Sequence, residues 1–108
     1  MESPEAIALT RVRDSVIIAV NKEWIRLTGF SREQVLGHTA VEIGHWPDAQ
    51  ARQQMLNPLR VDGRLREVDV PMILADGSER LMCMNAVMVE VEAETIMLIY
   101  LSVVTSTR

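Results

Sequence analysis

Residues 21 to 37 read NKEWIRLTGFSREQVLG, two very short helical phrases each closed by a glycine. Asn21 can cap a helix over 22 to 28 by accepting a backbone N–H bond, and Gly29 supplies the left-handed stop. Ser31 and Gln34 then form a capping box, Phe30 and Val35 stand where a hydrophobic staple belongs, and Gly37 ends the second turn. A stretch that only filled a core could run on as one amphipathic helix of ordinary length. This one predicts two sharp reversals of the chain.

Upstream, residues 6 to 20, AIALTRVRDSVIIAV, fit two antiparallel strands joined near Arg13 to Ser15. Downstream, a third short segment is expected around Val41 to Ile43. Asp48 is placed to cap a longer helix in which Ala51, Met55 and Leu59 recur at four-residue spacing. Pro58 removes a backbone donor inside it and predicts a kink or restart at Asn57 and Pro58. From Leu65 the period changes to two: Val68, Val70, Met72 and Leu74 alternate with Glu67, Asp69, Pro71 and Ile73. Asp76 and Gly77 then signal a tight hairpin into a strand over 79 to 91. Glu92 to Glu94 carry the next reversal, and 95 to 104 form a last strand. Two strands, several short helices and three strands make an α+β arrangement, a five-stranded antiparallel sheet with short helices on one face.

The 108 residues fit a single domain with a modest core. Fifteen acidic and eleven basic side chains give a net charge of -4, the wrong sign for a nucleic-acid binder, and no basic stripe offsets it. No apolar run approaches the roughly 20 residues of a membrane span, and the N-terminus lacks the regions of a signal peptide. Direct membrane insertion is therefore not expected. The lone cysteine, Cys83, has no internal disulfide partner, reads as a buried inert thiol on a strand, and fits a reducing, cytoplasmic setting. Seven methionines suggest an adaptable core or interface.

With the order of elements in place, the chain resembles the PAS domains of sensory and signalling proteins. Asn21 and WIRLTGFSREQVLG resemble that family's phrase of asparagine, short helix, Thr-Gly-aromatic, Ser, acidic turn and Leu-Gly. EIGHWPDAQAR, VDGRLREVDVPM and ADGSERLMCMNAV follow in the family's order and spacing. The resemblance runs from about Ala6 to Thr105, leaving 1 to 5 as an N-terminal extension and 106 to 108 as a C-terminal tail. It implies a sensory or interaction module whose short helices wrap a small cavity, which would explain the reversals at Gly29 and Gly37. Where the family commonly ends in Asp-Ile-Thr, this chain has Val103, Val104 and Thr105, without the aspartate.

The resemblance implies a non-catalytic module of a larger signal-transduction protein, binding a small molecule and relaying the signal to an effector. A histidine kinase or cyclic-dinucleotide domain elsewhere in the parent would be such an effector. The alternative is a ligand-free module for homodimerisation or partner docking. No cofactor is named: the long helix lacks the histidine typical of haem-holding relatives, and Cys83 lies outside the Asn-Cys-Arg-Phe phrase of photoreactive flavin domains. Noncovalent flavin binding stays open. His38 and His45 read as wall or surface histidines outside any metal spacing, and no phosphate loop or nucleophile elbow is present.

Candidate ligand-binding residues are Trp24, Trp46, Asn85, Tyr100 and Ser102. Asn85 shares a strand face with Leu81, Cys83, Val87 and Val89, and if that face looks inward its amide needs a partner. Met82, Met84, Ala86 and Met88 share the opposite face, as do Met97, Ile99, Leu101 and Val103 on the last strand. Both faces of the sheet are apolar, and helices cover only one, so a broad apolar surface is left over. The expectation is a partner, a second copy or a flanking helix, on an outer face carrying Met82, Met84, Met88, Met97, Ile99 and Leu101.

Overall fold

A computed structural model of the chain describes residues 5–46 and 49–104, with backbone alone at residues 49, 51, 52, 55, 56 and 60. Strands β1 (Ala6–Arg11) and β2 (Ile17–Val20) pair antiparallel, with a bulge between Leu9 and Thr10. Asp14 holds their turn, accepting from the Val16 amide at 3.1 Å and from the Arg11 guanidinium at 2.8 Å.

Asn21 fixes the entry to helix α1 (Lys22–Thr28). Its Oδ1 accepts from the Trp24 amide and from the Ile7 amide, both at 2.9 Å, while its own side-chain amide donates to the Glu5 carbonyl at 2.7 Å. One side chain thus caps the helix and locks it to β1. Gly29 stops α1 at φ 82, and Ser31 and Gln34 make the expected reciprocal box at the start of helix α2 (Arg32–Val35). The segment near Val41 is no helix. It is a hydrogen-bonded turn in which Thr39 and Glu42 repeat the capping-box exchange, Thr39 N to Glu42 Oε1 at 2.8 Å and Glu42 N to Thr39 Oγ1 at 3.0 Å.

Helix α3 runs unbroken from Ala49 to Asp62 with Pro58 inside it, where a kink or restart was expected. The carbonyl that loses its partner belongs to Gln54, and both residues border an open cleft, so water can satisfy it. Asp48, and the side chains of Ala51 and Met55, lie outside the described residues; Leu59, the last of that series, is fully buried.

Strands β3 (Arg64–Ile73), β4 (Glu79–Val91) and β5 (Glu94–Val103) complete an antiparallel sheet of order β2-β1-β5-β4-β3. The Asp76–Gly77 hairpin forms where expected. A bulge between Leu65 and Val68 keeps both on the face of Val70 and Met72, and it holds Glu67 at φ 47.

The register settles which face of the sheet lies under the helices, and it reverses the expectation. Met84 pairs with Leu101 and Leu101 with Ala6; Ala86 pairs with Ile99 and Ile99 with Ala8. Met82, Met84, Met97 and Leu101 are buried in the chain's own core, and Met88 and Ile99 pack partly buried against it. These six are therefore core residues and not an outer interface. The physical reason lies on β1, where Ala6 and Ala8 are too short to fill the space beneath α1 and the long methionines of neighbouring strands occupy it. The outer face carries Ile7, Leu9, Val87, Val89, Leu98 and Tyr100 instead.

Candidate functional site

Three rings meet beneath the short helices. Trp24, set by the Asn21 cap, stacks on Phe30 with centroids 6.3 Å apart, and the His45 ring stands edge-on to both at 5.7 and 5.8 Å. His45 is clamped to the end of β3 twice. Its carbonyl accepts from the Ile73 amide at 2.8 Å, and its Nδ1 lies 2.8 Å from the Ile73 carbonyl oxygen. A carbonyl can only accept, so Nδ1 carries the proton and Nε2 is left as an acceptor. Burial lowers the imidazole pKa and favours this neutral form, against a smaller opposing effect of the Ile73 hydrogen bond.

A cavity of about 30 Å³ lies between these rings and the sheet, lined by Thr10, Trp24, His45, Trp46, Met84 and Leu101 among others. Thr10 and His45 both border it, and the buried Thr10 Oγ1 and His45 Nε2 have no hydrogen-bond partner among the described residues. On the far side of Trp46 a wider cleft of about 730 Å³ opens between α3 and β3. Its floor includes Leu65, Val68 and Val70, and Asp62, Arg64, Arg66 and Asp69 supply both charge signs along it. Trp46, 7% exposed, is the wall common to cavity and cleft.

Of the five candidate ligand residues, Trp24 and Trp46 meet at this site and the other three do not. Asn85 faces outward, its Oδ1 accepting at 3.0 Å from the amide of Glu67 in the β3 bulge, so it braces backbone rather than lining the cavity. Tyr100 shares a shallow outer depression with Asn85, and Ser102 is exposed. Cys83 is half-buried on the same outer face, not in the core. Thr10 was not singled out in the sequence. The signal for it was the run Ala6, Ala8, Thr10, whose small side chains leave room on one strand face. No three His, Cys, Asp or Glu side chains gather as a metal set among the described residues.

An antiparallel sheet of order 2-1-5-4-3, short capped helices wrapped over its inner face and a small, mainly apolar cavity beneath them define an α+β fold with a helix-covered sheet. The sequence profile of the PAS fold matches residues 2–101, and the chain belongs to the PAS family. Several solved structures share the architecture. The PAS domain of an HTR-like protein from Haloarcula marismortui is 25% identical, with 95% of this chain and 84% of that one covered and a TM-score of 0.77. A PAS domain from Colwellia psychrerythraea is 23% identical over 94% and 86%, with a TM-score of 0.78. A PAS domain of a two-component sensor histidine kinase is 18% identical over 93% and 85%, with a TM-score of 0.77. No curated protein matches the chain significantly.

Proposed function

We propose that this PAS domain is a non-catalytic, cytoplasmic sensory module of a larger signalling protein, which takes a small molecule into the α3–β3 cleft and relays its presence to an effector. The observation that carries this reading is Trp46, which on one side walls a cavity lined by Thr10 and His45, each with a buried polar atom unpartnered among the described residues, and on the other a largely apolar cleft of about 730 Å³. The cavity is also bordered by Met84 on β4 and by Ile99 and Leu101 on β5, and the opposite face of β4 bears exposed apolar side chains. A ligand that shifts Trp46 therefore presses on β4 and β5, and those strands carry the displacement to the outer surface. The similar PAS domain of a sensor histidine kinase is consistent with an effector of that kind.

Native mass spectrometry of freshly purified protein tests this directly. Added mass on the folded species that is lost on denaturation is expected. A bare species that no compound in a metabolite library stabilises against heat would defeat the sensor reading.

A second reading, an interaction module that pairs with another copy of itself, is favoured by the outer face, where Leu81, Val89 and Val91 are 46%, 37% and 53% exposed. It predicts self-association that does not change with ligand.

A further inference from the structure

We propose that the cavity between Thr10 and His45 is a subsite for one neutral hydrogen-bond-donating group, a hydroxyl or an N–H, at the head of a ligand whose body occupies the α3–β3 cleft. The proposal rests on the cleft being the ligand site. Thr10 and His45 are 5% and 2% exposed and both line this one cavity, and Thr10 Oγ1 and His45 Nε2 are buried with no partner among the described residues. Buried polar groups are ordinarily hydrogen-bonded, so two orphans sharing one space point to an occupant. A space of about 30 Å³ takes a single water-sized group. Trp46 is the partition such a head group must pass to reach it from the cleft.

The Ile73 clamp fixes what that group must offer. With the proton of His45 committed to the Ile73 carbonyl, Nε2 presents a lone pair, which repels a carbonyl, ether or carboxylate oxygen and accepts from O–H or N–H. The Thr10 hydroxyl can donate or accept, so a hydroxyl head gives its proton to His45 and receives one from Thr10. Ala8, Ile17, Met72 and Leu101 are among the other walls, and among the described residues no carboxylate, guanidinium or ammonium lines the space, which disfavours a charged head of either sign.

The test titrates the intact chain by calorimetry with 1-naphthol and its methyl ether, which share a ring system and differ in the hydroxyl proton. The smaller pair phenol and anisole is run alongside. Histidine-selective ¹⁵N NMR follows His45 Nε2. The expected result is about tenfold tighter binding of the alcohol than of its ether, an Nε2 signal that moves only with the alcohol, and loss of most of that preference in Thr10→Val. Equal affinities with an unmoved Nε2 signal would overturn the subsite and leave the cleft reading standing. Failure of all four compounds to bind would overturn the subsite, and the cleft reading falls with it only where the metabolite library also stabilises nothing. Should Thr10→Val not fold, the alcohol-to-ether ratio and the Nε2 signal of the unmodified chain still decide.

Discussion

His45 concentrates the chemistry of this domain in one side chain. Its ring is enclosed by Trp24, Phe30 and the Ile73 carbonyl, and burial holds its folded pKa below the ordinary 6.5. Because the folded state then binds a proton less readily than the unfolded chain, stability is full above pH 6.5. It is lost as pH falls from there toward the lowered folded-state value. Melting temperature measured from pH 8 down to 5 is expected to drop through this window, and His45→Gln, neutral throughout, is expected to flatten the drop. An equal slope in the variant would assign it to other groups. From sequence, His45 could be placed only as a wall or surface residue. What makes it distinctive is its backbone and side-chain bonding to Ile73, a contact across 28 positions that no local pattern encodes. Thr10 was hidden for a similar reason, since its isolation depends on which face the helices cover.

At the scale of elements, the pieces most legible in the sequence were those fixed by local chemistry. The Asn21 cap, the Gly29 stop and the Ser31–Gln34 box all form as their side chains dictate. The bulge in β3 was not legible, because it depends on Asn85 reaching across from β4 to the Glu67 amide. The β4–β5 connection was located correctly but carries a strain that composition conceals. Val91 pairs with Glu94, so Glu92 and Ala93 form a two-residue hairpin loop, and both have positive φ, 49 and 68. That geometry favours Asn-Gly, and a residue with a Cβ pays for it. Ala93→Gly is expected to raise stability by about 0.5–1 kcal/mol, the relief of left-handed strain exceeding the added chain entropy. Urea denaturation measures it; a lower midpoint with unchanged slope would show that the loop is not strained.

Across the whole molecule, the five strands, their hairpin connections and the presence of two apolar sheet faces could be read from turn signals and alternation, whereas the β1–β5 pairing that orders the sheet could not, and alternation has no sign. A period of two says which residues share a face and not which face meets the helices. Evidence for the sign was present in the outward set Asn85, Tyr100, Ser102, Arg11 and Asp69, which is more polar than the methionine face, and in the small residues of β1. The corrected orientation separates two kinds of substitution. Met84→Glu places a carboxylate at a position 1% exposed, between Val68 and Leu101, at a cost of about 4 kcal/mol or more. That is most of the stability of a small domain, so loss of cooperative thermal unfolding is expected. Val89→Glu stands on the outer face at 37% exposure, and its expected effect on melting is within about 1 kcal/mol. If the outer face is where copies meet, the Val89 variant releases folded monomer in size-exclusion chromatography with light scattering, because a charge facing its own symmetry mate has no counter-ion. A folded monomer from Met84→Glu, with the Val89 variant still associated, would return the interface to the methionine face and contradict the packing described above.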